Sequence, residues 1–483
     1  MARTGPNPAR ISTDIPARLD RLPWTRWHWL VLIGLGAVWI LDGLEVTIVG
    51  VVAPRITEPG SGLNLTSADI GIAAGVYVAG ACLGALVFGH LTDQFGRKRL
   101  FLTTLALYLV ATAATAFSTT AWYFYLCRFL TGAGIGGEYA AINSAIDELI
   151  PARVRGTVDL VVNGSFWLGT AFGAVIAVPM LDTDLFPPDL GWRILFGLGV
   201  LLGVVILLTR RLMPESPRWL FIHGRDQEAE RIVRDLEERI RRSTGAELPP
   251  PVGTITITQR RHTPLTEVAA TLLRRYPTRT VVGLALFIGQ AFLYNSIYFT
   301  YALVLTTFFA VPASGTPWYL IPIALGNFCG PVLLGRLFDS IGRRAMVSGC
   351  YVLSGVLLIG TALLFDRGVL SALTLTACWM TVFFFASAGA SSAYLTVSEI
   401  FPMETRALAI ALFYSIGTAL GGIVGPVLFG RLVESEVPGN VAFGYVLGAS
   451  LMIAAGLVQW TLGVEAARRS LEEIAKPLSA HPD

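Results

Sequence analysis

Charge is scarce in this sequence. Asp, Glu, Lys and Arg make up 14% of its 483 residues, against about 25% in an ordinary soluble domain, and Lys98 and Lys476 are the only lysines among 36 basic residues. That is too little charge to clothe a water-facing surface, so a soluble fold is excluded. A formal net charge of +3, with no basic patch interleaved with exposed aromatics, excludes a nucleic-acid surface as well. Cysteine is equally sparse. Cys82, Cys127, Cys329, Cys350 and Cys378 stand singly in apolar runs, without metal-ligand spacing, and read as small packing residues. His28, His90, His223, His262 and His481 lie at the ends of apolar runs or outside them, which argues against a membrane-embedded metal enzyme and against a histidine proton switch. No cofactor and no metal are implied. No short apolar stretch with an Ala-x-Ala site precedes Trp24, Trp27 and Trp29, so no cleaved signal peptide is expected. The Asn64-Leu65-Thr66 sequon carries weight only in a secreted eukaryotic setting.

Apolar length is what the chain has in abundance. Hydrophobic residues make up 54% of it, and runs long enough to cross a hydrocarbon core, about 20 residues for about 30 Å, recur from Trp29 almost to the C-terminus. Twelve crossings are expected, near residues 29 to 53, 70 to 91, 99 to 118, 121 to 147, 157 to 180, 191 to 212, 279 to 306, 317 to 337, 345 to 365, 369 to 398, 406 to 430 and 441 to 463. Strand alternation is absent, and backbone groups in lipid must be satisfied within each segment, so the crossings are helices. The fold class is an all-α membrane protein. Arg97, Lys98, Arg99, Arg153, Arg155, Arg336, Arg343, Arg344, Arg406, Arg468 and Arg469 share one side with the N-terminal arginines, whereas the opposite loops carry Asp182, Asp184, Glu434 and Glu436. The positive-inside rule then makes both termini cytoplasmic.

Five segments follow: a tail over residues 1–28, a six-helix bundle over 29–212, a cytoplasmic linker over 213–278, a second six-helix bundle over 279–463 and a tail over 464–483. In the linker, Ser216 and Pro217 are placed to start a helix. From Asp226 to Arg242 the apolar Ala229, Ile232, Val233, Leu236 and Ile240 keep a helical period, and Glu230 with Arg234 and Asp235 with Arg239 are spaced for i,i+4 pairs. Both a solvated linker helix and a docking surface fit that pattern.

The two bundles repeat each other. Gly-x3-Asp-x2-Gly-Arg occurs at "GHLTDQFGRKRLF" (Gly89 to Phe101) and again at "GRLFDSIGRRAMV" (Gly335 to Val347), 335 − 89 = 246 positions later. Glu-x2-Pro-x3-Arg closes the fourth crossing at Glu148 to Arg155 and the tenth at Glu399 to Arg406. Two pseudo-symmetric six-helix bundles account for both repeats. With "RFLTGAGIGGE", "PESPRWL" and "SEIFPMETR" in the same order, the chain resembles the major facilitator superfamily over essentially its whole length, and more narrowly its sugar porter and metabolite–proton symporter branch.

Residue chemistry adds candidate sites. Asp42 and Glu45 lie inside the first crossing, where a carboxylate costs several kcal/mol unless it faces a cavity, finds a partner or takes a proton. Arg128 in the fourth crossing keeps its charge and needs an anion. The resemblance implies proton coupling for Glu45 first, with Asp42 and Arg128; a buried pair that merely pins two helices is the alternative. Glu138 fits a solute contact and an interhelical hydrogen bond equally well. Asn163, Trp167, Gln290, Asn295, Tyr298, Asn327 and Tyr394 supply amides and aromatics of the kind that read polyols, carboxylates or aromatic solutes. Gly289 and the pair Phe299–Thr300 depart from the sugar porter pattern of the seventh crossing, which weakens a hexose reading. The resemblance also implies a cytoplasmic gate built from Asp93, Arg97, Glu148, Arg155, Asp339, Arg343, Glu399 and Arg406.

The expected function is that of a secondary active transporter, not an enzyme. It would move a sugar, polyol or organic or aromatic acid across the plasma (cell inner) membrane by alternating access and proton symport. A proton-coupled exporter and a non-transporting nutrient sensor are the alternatives. A small solute, a proton and the lipid bilayer are the expected partners, without nucleic acid, and a monomer suffices.

Overall fold

Where the apolar runs occur, the chain is helical, as backbone hydrogen bonding in hydrocarbon requires. The computed structural model describes residues 10–63, 65–210, 215–245, 247–259, 264–298, 300–312 and 315–480. Asn64, Phe299, His262 and His481 lie outside these residues, as does the side chain of Tyr298.

The first bundle comprises Arg26–Thr57, Ser67–Phe95, Arg97–Thr115, Ala121–Leu149, a fifth crossing in two pieces (Arg155–Gly164 and Phe166–Met180) and Gly191–Arg210. The second opens with Pro277–Leu293, which passes through a π-turn at Tyr294–Tyr298 into Tyr301–Phe309. It continues with Thr316–Ser340, Arg343–Asp366, Ala372–Ile400, Arg406–Ala419 (extended by a π-turn at Leu420–Val424 and by Gly425–Glu434) and Pro438–Leu462. Ten of these are long and apolar enough to span a membrane on length and composition alone. The third and fourth, which carry the Arg97–Arg99 cluster, several threonines and Arg128 to Glu148, complete the twelve.

Small residues set the packing. The second and fourth crossings approach so closely that a Cβ on Gly80 or Gly84 would collide with the carbonyl of Phe129 or Ala133. In the second bundle Gly326 and Gly330 meet the tenth crossing at Met380 and Phe384 in the same way. The offsets are 326 − 80 = 246 and 330 − 84 = 246, equal to that of the repeated motif, so the duplication extends into helix packing. In both motif copies the glycine before the arginine has positive φ, 98° at Gly96 and 122° at Gly342, turning the chain from one crossing into the next.

The face that carries both termini is capped. Strand Arg10–Thr13 pairs antiparallel with Ile255–Thr258 of the linker, and Thr258 donates its N–H to the Ser479 carbonyl at 2.8 Å. Short helices Ile15–Asp20 and Pro217–Ile222, the second capped by Ser216 Oγ at 3.2 Å, enclose a small core with Ala229, Val233, Leu236 and Ile240 of the linker helix Asp226–Thr244. The linker helix is therefore docked on one face. Glu230 turns to Arg18 at 2.7 Å, an ion pair that reaches outside its own helix. Burial disfavours the Glu237 carboxylate, but hydrogen bonds from Arg18 and Arg21 outweigh it and hold its pKa below the usual range.

Candidate functional site

Asp42 and Glu45, one helical turn apart on the first crossing, are both fully buried. Glu45 Oε1 sits 2.8 Å from Arg128 Nη2 on the fourth crossing and accepts from Thr112 Oγ1 at 3.3 Å. Arg128 Nη2 also reaches Thr131 Oγ1 at 3.1 Å and Thr115 Oγ1 at 3.3 Å, and its guanidinium lies 5.3 Å from the Phe196 ring centre. Asp42 has no hydrogen-bond partner for either oxygen among the described residues. Two buried carboxyls thus lie one turn apart, and one of them, Glu45, is paired with the guanidinium. If both were ionised, an unbalanced charge would remain buried at a cost of several kcal/mol.

Beside this group lies a cavity of about 200 Å³. Its wall includes Trp39, Tyr77, Tyr139, Phe166, Trp167, Tyr294, Tyr394 and Tyr414, together with Asn163, Gln290, Asn295, Ser387 and Ser391. None of its lining residues is charged. Trp39 and Tyr139 stack at 4.6 Å, Trp167 and Tyr294 at 5.3 Å, and Tyr139 meets Tyr414 edge-on at 5.0 Å. Tyr77 lines the cavity and lies within electrostatic reach of Asp42, Glu45 and Arg128. Toward the face away from the termini, a wider cavity of about 820 Å³ opens past Val46 and Phe166 to Arg55, Glu58 and Trp318. The molecule is open on that side.

It is shut on the other. The eight residues expected at the gate form a crosswise network of two four-residue clusters, each spanning the bundles. Arg97 pairs with Glu148 at 2.9 Å and Asp93 at 3.3 Å, and Arg343 pairs with Glu399 and Asp339, both at 2.9 Å. Between bundles, Arg406 reaches Glu148 and Arg155 reaches Glu399, each at 3.5 Å. Asp93 accepts the Leu408 N–H at 3.2 Å, and Asp339 accepts those of Gly156 at 3.0 Å and Thr157 at 2.7 Å.

Of the residues expected to meet a solute, Asn163, Trp167, Gln290, Asn295 and Tyr394 lie on the cavity wall. Two do not. Glu138 is fully buried off the cavity, its glycine-rich helix being packed too tightly to admit a solute. Asn327 is buried behind Tyr294, whose hydroxyl donates to its Oδ1 at 2.7 Å. Sequence reasoning missed Trp39, Tyr77, Tyr139, Tyr294 and Tyr414, which read as ordinary apolar-helix residues. It also missed Glu215 and Glu465, which accept the N–H groups of Arg97 (3.0 Å) and Arg343 (2.8 Å) and so cap the two repeated turns alike. Their signal is position, since each lies just beyond the last helix of its bundle. Arg218, fully buried, ties the cap to this network through Asp20 at 3.0 Å, Glu472 at 3.2 Å and the Glu148 carbonyl at 2.9 Å.

Comparison with known proteins adds the following. Residues 43–478 match the family described as "Sugar (and other) transporter". The niacin transporter of Acinetobacter baylyi is 27% identical over 95% of this chain and 99% of its own length. The 4-hydroxybenzoate transporter of the same species is 25% identical over 98% and 96%. Among solved structures, the proton:xylose symporter XylE superposes with a TM-score of 0.75 at 18% identity, covering 92% of this chain and 98% of that one.

Proposed function

The chain belongs to the sugar (and other) transporter family of the major facilitator superfamily, and from that premise we propose that it takes up a small planar aromatic monoacid together with one proton. Secondary transport of a metabolite comes with the family. The solute and the coupling are our reading. The observation that carries it is an aromatic-walled cavity without a charged lining residue, whose Tyr77 lies within electrostatic reach of Glu45, paired with Arg128, and of Asp42, which has no hydrogen-bond partner among the described residues.

Counting donors and acceptors favours an aromatic solute over a hexose. Both N–H groups of Asn163 are committed, to Asn143 at 3.0 Å and to the Asp159 carbonyl at 2.9 Å, and one of Asn295 goes to the Ala291 carbonyl at 2.8 Å. Gln290, one Asn295 N–H, the two Asn oxygens and a few hydroxyls remain, a short supply for the water around five sugar hydroxyls, each costly to strip bare. Paired rings offer faces for another ring instead, in the offset or edge-on geometries aromatics prefer. The solutes for which the niacin and 4-hydroxybenzoate transporters are named point the same way.

With no charged group in the wall, an anionic solute is best accommodated when a proton travels with it. In the state described here that proton sits on the Asp42–Glu45 pair. Asp42, which lacks a partner, holds it, while Glu45 stays in the ion pair. The bias of arginines toward the capped face makes that face cytoplasmic, with both termini inside the plasma membrane, and the open cavity then faces outward. Each copy of the chain holds a whole cavity and gate, so a monomer is the working unit.

Uptake into proteoliposomes under an imposed pH gradient tests the proposal, using aromatic monoacids beside hexoses and polyols. Accumulation of an aromatic acid and none of a hexose is expected. The reverse order of preference contradicts it.

A further inference from the structure

Asp159 is a buried acid that neither the cavity nor the gate accounts for. It sits on the fifth crossing, one turn after the gate residue Arg155 and one turn before the cavity residue Asn163, whose Nδ2 donates to the Asp159 carbonyl at 2.9 Å. Its carboxyl is fully buried, and neither oxygen has a hydrogen-bond partner among the described residues. Three acids face it: Asp147 from the fourth crossing, Asp339 from the end of the eighth and Glu399 from the tenth. Arg343 is the facing cation, and Glu399 and Asp339 already engage it at 2.9 Å each. The first crossing, packed on the same helix, has no charged residue between Trp29 and Leu41. An ionised carboxylate without a partner among three other acids is costly to bury, so in this state the group carries a proton.

We propose that Asp159 is a second proton-binding residue, which releases its proton toward the capped face when the gate opens. Arg155 provides the exchange. While the gate is shut it spans the bundles to Glu399 at 3.5 Å and lies 3.9 Å from Asp147 of its own bundle; separation of the bundles removes the Glu399 contact and leaves it one turn from Asp159, on the same helix, where it neutralises the carboxylate that deprotonation leaves. The O–H bond of the Asp159 carboxyl breaks, its proton passes to water on the capped side, and no electron transfer is involved. Closing the gate reverses the step. Asn163, hydrogen-bonded to Asn143 at 3.0 Å and through it to the Tyr139 carbonyl at 2.8 Å, links Asp159 to the cavity floor.

The proposal rests on alternation between two open faces, the premise of the proposed function, and it predicts a sign. The shut state binds one proton more at Asp159, so low pH holds the gate shut and rising pH opens it. The ratio of open to shut changes by up to about tenfold per pH unit while the group titrates. Spin labels on the two bundles at the capped face, in a chain whose native cysteines have been replaced, read that ratio as a distance distribution in liposomes of set pH. Asp159→Asn is expected to remove one proton's worth of slope and Asp159→Glu to restore it. Asp159→Ser, smaller and also non-ionising, repeats the loss should the Asn variant not fold. An unchanged slope in Asp159→Asn or in Asp159→Ser overturns the proposal. The same comparison with Asp42→Asn and Glu45→Gln already in place separates the two ideas. The Asp159-dependent slope persists there, whereas the coupling reading stands or falls on concentrative uptake.

Discussion

Asp42 and Glu45 differ by one contact. Glu45 is held by Arg128 at 2.8 Å, and Asp42 by nothing among the described residues. If the pair shares a transported proton, Asp42→Asn and Glu45→Gln should each abolish uptake against a gradient while sparing solute exchange at equal concentrations. Retention of concentrative uptake by either variant takes that acid out of the coupling. Arg128→Ala should damage both modes, because it strands a buried carboxylate, a loss on the order of 3–5 kcal/mol. For the cavity, Trp39→Ala removes a face of the aromatic wall. A lost ring contact worth roughly 0.5–1.5 kcal/mol should raise the solute KM up to about tenfold with little change in kcat; an unaltered KM places the solute elsewhere. The charged trio was legible in the sequence because an acid or an arginine within an apolar run needs a reason. The aromatic wall was not, because Trp39 or Tyr139 on a helix looks the same whether it faces lipid, core or a cavity. Glu138 is a charge whose sequence fitted a solute contact and an interhelical contact equally, and it is buried off the cavity.

Repeated motifs were the most legible elements, and the 246-residue offset carries through to the paired glycines of helix packing. What sequence could not supply was the partner of each repeated turn, since Glu215 and Glu465 come from outside the motif and meet it only through folding. Removing the ion pairs between bundles should release the gate. Glu148→Gln with Glu399→Gln should raise labelling of cysteines buried at the capped face relative to those at the open face, because only the shut state holds these contacts. An unchanged ratio means the charges set topology alone. The cap has its own pH signature. Burial pushes the His223 pKa down to about 4, with the ring stacked on Trp219 at 4.2 Å. Folding therefore disfavours the protonated form. Its contribution is complete above pH 6.5 and declines as pH falls from there toward 4, by roughly 3 kcal/mol in all. His223→Gln should flatten the rise in thermal stability between pH 4.5 and about 6.5; a rise equal to that of the unsubstituted protein excludes His223 as its source.

At the scale of the molecule, twelve helices in two related halves could be read from hydropathy and repeats, because the bilayer leaves few alternatives. The cap could not. Its strand pairing brings Arg10–Thr13 against Ile255–Thr258, more than 240 positions away in the chain, and no local pattern encodes such a meeting. The outcome is a protein shut at its capped face and open at the other, with an uncharged aromatic cavity between and the acid pair at its side. Coupling is the central claim, and its energetics make it measurable. A monoanionic solute moving with one proton carries no net charge, so the membrane potential adds nothing, and each unit of pH gradient supplies about 1.36 kcal/mol, a tenfold accumulation. The most direct test follows uptake of an aromatic monoacid in proteoliposomes under a gradient of one pH unit, with and without an imposed potential and with and without a protonophore. The account predicts a plateau about tenfold above the outside concentration, insensitive to potential and collapsing to equality with the protonophore. A plateau near unity that the protonophore leaves unchanged would contradict it, and would reduce Glu45 with Arg128 to a structural pair.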